Sequence, residues 1–273
     1  MRVINQKVSR PVGLALAAIP FILILAVYMI ASYYRLEANP ADKLLPSLQS
    51  IGEAFWRMAS VPNRRTGEIL LLKDTIASLI RLGYGMGIAA LLALFLGVTI
   101  GLIPKIRALL SSFVATFSLI VPITILPILF IVFGLGETSK VMLIVIGTAP
   151  VMIRSIAQTV ADLPDELIIK AQTLGATTWR IIIRVVVPQI MPKLIQAVRL
   201  GLVPAWIFLV SAEAIASTEG LGYRIFLVRR YLAMDIILAY VAWITLIAFL
   251  IDRFLLLASR RLFPWAHLQG DDL

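Results

Sequence analysis

Charges in this chain gather at the ends of long apolar runs. Residues 12–34, VGLALAAIPFILILAVYMIASYY, carry no charged side chain. A run of that length exceeds the ~20 residues a helix needs to cross a bilayer. Further runs cover 75–102, 109–133, 140–160, 193–215 and 236–258. Open strands cannot satisfy their backbone in lipid, so the pattern predicts about six transmembrane helices. The predicted fold class is all-α, a polytopic helical membrane protein. Residues 35–74 read as a polar loop holding one amphipathic stretch, SLQSIGEAFWRMA.

Composition supports that reading, with 60% hydrophobic and 15% charged residues and a mean hydropathy of +0.97. Soluble domains lie nearer half apolar and a quarter charged. A net charge of +10 raises nucleic acid as a partner. The basic residues instead flank the apolar runs, as anchors against anionic headgroups do, and no basic stripe with interleaved aromatics occurs. Membrane lipid is the expected partner and nucleic acid is not. Arg2, Lys7 and Arg10 ahead of the first run place the N-terminus in the cytoplasm, and six spans bring the C-terminus back to it. That first run is too long for a cleaved signal peptide and ends in Tyr-Tyr, so it is expected to stay as an anchor. There is no cysteine. The single histidine, His267, falls in the tail without a ligand cluster around it, so no metal site is expected.

Several residues inside the runs invite a role. Gly83, Gly87, Ala90, Gly97 and Gly101 fall on one helical stripe with GxxxG steps at 83/87 and 97/101, which predicts close helix packing. Arg81 lies near the outer end of the same run and is expected to snorkel. Pro122 and Pro127 each remove a backbone donor and predict a broken segment, either a path lining or a packing kink. Glu213, near the outer end of the fifth run, predicts a cavity, a helix pairing or an interfacial position. The glycine-punctuated STEGLGYRIF after it suits a short re-entrant or surface element. GLGETSK does not fit G-x-x-x-x-G-K-[ST], and no such motif occurs in the chain, so no ATP site of that type is expected.

Residues 162–190 differ from everything around them. Pro164, Asp165 and Glu166 form a helix start. Leu167, Ile168, Ala171 and Leu174 make an apolar face at helical spacing, and Gly175 bends or breaks the helix. Trp179, Ile182, Ile183 and Val186 continue an apolar stripe, with Lys170, Arg180 and Arg184 pointing elsewhere. Pro188 and Pro192 are expected to stop the segment before the fifth span. Physical chemistry leaves two readings: an interfacial anchor, or a rigid element presented to a cytosolic protein.

Ala171, Gly175, Val185, Val187 and Pro188 stand at the spacings of E-A-A-x3-G-x9-I-x-L-P, the loop signature of binding-protein-dependent ABC transporter permeases. Ile169 and Lys170 replace its first Glu-Ala, with Glu166 one turn earlier as the nearest acid. VPITILPILFIVFGLGETSK and AEAIASTEGLGYRI resemble parts of the nitrate/sulfonate/taurine/bicarbonate subfamily, and the resemblance covers roughly 75–262. It implies a MetI-like permease fold in the bacterial inner membrane. The implied organisation is an anchor span and external loop over 1–74, a permease core over 75–262 and a cytoplasmic tail over 263–273. Implied partners are a second copy, two cytosolic ABC ATPase subunits that hold ATP and magnesium, and a substrate-binding protein outside. The chain itself would then be no enzyme and would need no cofactor. Coupling to the ATPase would fall to Glu166, Lys170, Ala171, Leu174, Gly175, Ala176, Trp179 and Arg180. The solute, a small anion or sulfonate, would pass Pro122, Thr124, Pro127, Ser211 and Glu213. An ion-coupled transporter or channel without an ATPase is the alternative, and Glu213 would then be its proton relay.

Overall fold

The computed structural model describes residues 9–39, 42–62 and 67–267, and every regular element among them is helical. Arg2, Lys7 and the tail from 268 onward lie outside the described residues. Five helices are long and apolar enough to cross a bilayer, and a bent pair supplies a sixth. The helix α1 (Arg10–Ala38) starts with proline in its first turn, where a missing N–H costs nothing. Its most apolar stretch is not buried at all, so it offers that surface to lipid. Tyr28 and Ser32 tie it down by donating to the Pro46 carbonyl at 2.7 and 3.2 Å.

The amphipathic stretch forms α2 (Leu48–Ser60), capped by Ser47, whose hydroxyl accepts from the Ser50 N–H at 3.1 Å. It lies against α3 (Leu70–Leu102) and the last long helix, with Phe55 tilted on Trp243 at 5.5 Å. The chain then turns into α4 (Pro104–Phe117), a one-turn 3-10 segment (Pro122–Ile125) and α5 (Leu126–Phe133). The two halves meet at 83°, so the third run is a broken span. Pro122 opens the 3-10 turn, and Pro127 sits in the first turn of α5, where no donor is required.

The helix α6 (Glu137–Ala161) packs along α3. The glycine stripe is corrected here. Gly83 and Gly87 face open space, whereas Gly85, Ala89, Ala93, Gly97 and Gly101 take the contact. Residues four apart drift around a straight helix, and a crossing partner follows that ridge rather than a line of fixed angle. A Cβ on Gly97 would lie 2.8 Å from Ile156. These five small residues therefore set how closely α3 and α6 approach.

After α6 come α7 (Asp165–Thr173), a turn at Gly175 with φ +77°, and α8 (Thr178–Ile181). Pro188 and Pro192 do not stop the helix, contrary to expectation. A π turn over Ile182–Val186 carries it straight into α9 (Val187–Ala216), with the Val187 N–H reaching back to the Ile182 carbonyl. Pro188 falls in the first turn after the widened one, where its missing N–H is tolerated, and Pro192 lies inside α9. The widened turn also shifts the helical phase. Ile181, Val186 and Ile190 face the core at 5%, 0% and 0% exposure, while Trp179 and Ile183 turn outward at 66% and 48%. The expected stripe through Trp179 and Ile183 is thus not the buried one.

The short α10 (Leu221–Arg229) folds back onto α9 before α11 (Met234–Leu262) closes the bundle, and Pro264–His267 adds a final turn. The bundle has two ends. The starts of α3, α6 and α11, the end of α9, and α10 make one; α7 and α8 mark the other.

Candidate functional site

At the α10 end, a buried polar clasp joins five helices. Asp74, Ser78 and Arg81 stand four and three residues apart on α3, so one face presents all three. Glu213 on α9 accepts from the Ser78 hydroxyl and Arg81 Nη1, both at 2.7 Å, and from the Gly222 N–H at 2.8 Å. Arg81 also donates to both oxygens of Glu137, at 2.9 Å from Nη2, and to the Glu219 carbonyl at 2.9 Å. Lys140 completes that corner, 2.8 Å from Glu137 and 3.2 Å from the Ser217 hydroxyl.

Asp74 anchors the other half. It accepts from Arg224 Nε at 2.8 Å, the Tyr240 hydroxyl at 3.1 Å and the Gly220 N–H at 3.0 Å. The Ser78 oxygen, while donating to Glu213, accepts from the Leu221 N–H at 2.9 Å. The turn between α9 and α10 is therefore stitched to α3 by backbone as well as side chains. Gly220 is required there: its φ is +126°, and a Cβ would lie 2.5 Å from the Glu213 carboxyl. Asp74 and Glu213 are fully buried, and Arg81 nearly so. Such a network stabilises through completeness, because removing one member leaves an uncompensated charge.

The clasp holds two of the singled-out residues, and Arg81 is the one that departs from expectation. Arg81 does not snorkel; it is held inside by two carboxylates. Glu213 pairs helices, one of the positions expected of it. Ser211 donates to the Ile207 carbonyl of its own helix at 2.7 Å, and Thr124 donates to Val121 at 2.7 Å. Of the five expected path residues, Pro122 alone lines a cavity among those described. That cavity, about 340 Å³, lies between the broken span, α6 and α9, and Ser118, Thr148, Ser155, Pro204 and Phe208 also bound it. Ser155 continues into a second cavity of about 580 Å³ toward the α7 end, bounded by Thr159, Asp162, Gln189, Lys193 and Gln196. Polar side chains of α6 and α9 thus line open space between the two helices.

The α7–α8 element stands out from the α7 end. Ala171 and Ala176 pack half-buried on the core, Leu167 and Ile168 are half-buried, and Glu166, Lys170 and Arg180 are exposed. The largest exposed apolar groups are Leu174, 87% exposed, and Trp179. Leu174 does not share the half-buried side of Leu167, Ile168 and Ala171 with which its helical spacing groups it. The Gly175 turn causes this: the Ala176 N–H bonds back to the Ala171 carbonyl at 3.0 Å, closing the chain around an outward Leu174.

A family model for the binding-protein-dependent transport system inner membrane component matches residues 89–264. The chain is 37% identical over 196 residues to the taurine transport system permease protein TauC of Escherichia coli (strain K12), spanning 71% of each. It is 28% identical over 187 residues to the bicarbonate transport system permease protein CmpB of Synechococcus elongatus, 67% of this chain and 66% of that one. Its fold matches a chain of the inward-facing MetNI methionine ABC transporter with TM-score 0.63 and 20% identity, covering 71% of this chain and 96% of the other. The chain belongs to this family and is an ABC transporter permease with a MetI-like fold, of the nitrate/sulfonate/taurine/bicarbonate branch.

Proposed function

We propose that this ABC permease works as two copies facing each other across the open α6–α9 face, importing a small anion on energy supplied by cytosolic ATPase subunits. The observation that carries the proposal is the α7–Gly175–α8 knob. Leu174 and Trp179 are large exposed apolar groups on an element that also exposes Glu166, Lys170 and Arg180. Exposed apolar groups with a charged rim mark a protein-binding surface. On this reading the α7 end is cytoplasmic and the knob seats in a groove of the ATPase.

Coupling then follows from stiffness. The helix from Thr178 to Ala216 has no loop in it, so a push on α8 reaches the far end of α9. The clasp makes α3, α6, α9, α10 and α11 move together. Closure of the ATPase pair would swing the two copies as bodies and open the face between them alternately to each side. The solute would run past Pro122 and Ser118, then Ser155, Thr159 and Lys193. Acyl chains cannot cover that polar face at tolerable cost, which supports its closure by a second copy. The relatives' names, taurine and bicarbonate permeases, favour a small anion, with a separate binding protein delivering it. A proton relay through Glu213 is disfavoured by the bonds that carboxylate already makes.

The test is purification of the tagged full chain with its ATPase subunit from native membranes. The wild type should retain the ATPase, and Leu174→Asp or deletion of 170–178 should release it. Unchanged assembly in both variants would refute the coupling role.

A further inference from the structure

Four cations inside the bundle, Arg81, Lys140, Arg199 and Arg224, each meet a carboxylate. Arg154 on α6 does not. Among the described residues, its Nη1 donates to the Ser118 hydroxyl at 2.9 Å and the rest of the guanidinium is unengaged. Seven residues separate Arg154 from the end of α6 at Ala161, which is about 10 Å at 1.5 Å per residue. A charge at that depth faces a cavity or a partner, because acyl chains would penalise it.

Its surroundings are a cavity. Ser118 closes the end of α4 at the break in the span and lines the ~340 Å³ space with Ser155. Arg154 itself, an exposed side chain, lines a separate space of about 370 Å³ between α3, α4 and α6, with Ser111, Ser112 and Gln158. Arg107, the other arginine there, is committed to the end of α3 through the carbonyls of Ile100 and Gly101. The uncommitted edge of one guanidinium therefore lies beside Ser118, where the bend in the third span meets α6.

We propose that Arg154 holds the anionic head of the transported solute, a sulfonate, carboxylate or similar oxyanion, with the Ser118 and Ser155 hydroxyls beside it. This rests on the permease reading and adds the group that selects the substrate class. The planar guanidinium offers two parallel N–H donors to such a head, and the edge that Ser118 does not use is available for them. A single accessible arginine also gives a hold weak enough to release, which a path requires.

The test uses the purified full chain in phosphatidylcholine nanodiscs, with thermal unfolding read in methanesulfonate against chloride at equal ionic strength. A ligand that binds the folded state raises the midpoint in proportion to its occupancy. The wild type should show a rise of several degrees, Arg154→Lys a smaller one and Arg154→Gln none. Arg253→Gln, which alters a cation stacked on Phe249, should respond as the wild type does. An equal rise in Arg154→Gln, or none in the wild type, would overturn the proposal. A parallel arm replaces part of the lipid with phosphatidylglycerol. Arg154-dependent stabilisation by that lipid, without a response to methanesulfonate, would assign the site to a lipid phosphate and overturn the substrate role. The permease reading stands or falls separately, on retention of the ATPase. Retention with no anion response removes Arg154 alone; an anion response without retention removes the coupling.

Discussion

The two ends of this bundle treat polarity in opposite ways. At the α10 end every buried charge among the described residues has a partner: Asp74 meets Arg224, Glu213 meets Arg81, and Lys140 meets the exposed Glu137. At the α7 end, charges and apolar side chains are left uncovered: Arg154, Lys193, Leu174 and Trp179. Completed networks hold helices in one arrangement, and uncovered groups need something outside the chain. The difference divides the molecule into a part that keeps its shape and a part that meets partners and solute.

Substitutions can break that division, beginning with the largest effect. Glu213→Ala removes the buried one of the two carboxylates to which Arg81 donates and leaves the Ser78 hydroxyl and the Gly222 N–H without their acceptor, and should cost about 3–5 kcal/mol. It is read as a drop in unfolding midpoint, and an unchanged midpoint would show the clasp to be ornamental. Leu174→Asp should leave stability within ~0.5 kcal/mol, because the side chain touches little. It should weaken ATPase binding by about 2 kcal/mol or more, near 30-fold, measurable by titration of the purified subunits. Gly97→Ala forces α3 from α6 at Ile156 and should cost about 1–3 kcal/mol, whereas Gly87→Ala, facing open space, should cost nothing measurable. The smallest effect belongs to Ser211→Ala. Its hydroxyl bonds only its own helix, so stability and transport should change by less than ~0.5 kcal/mol.

Much of the fold was legible along the chain because lipid imposes a simple rule on span length and charge. The breaks at Pro122 and Gly175 were legible for the same local reason: each residue restricts or frees its own backbone. The π turn was not. Pro188 and Pro192 argue for a stop, and it takes packing of Ile181, Val186 and Ile190 to hold the helix together through them. The clasp was half legible. Arg81 and Glu213 stand out singly as charges inside apolar runs, but Asp74 falls in the expected loop, and partners 132 to 150 residues apart are paired by no local pattern. The helix wheel similarly chose Gly83 and Gly87 over Gly85, because it omits the partner's crossing direction.

Hydrogen exchange on the full chain, with and without its ATPase subunit, tests the division most directly. Amides at Gly220 and Leu221, which donate to the clasp, should exchange slowly in both states. Protection should rise on ATPase binding within 165–181 and change little over 213–224. New protection confined to the α10 end, with 165–181 unaffected, would contradict the account.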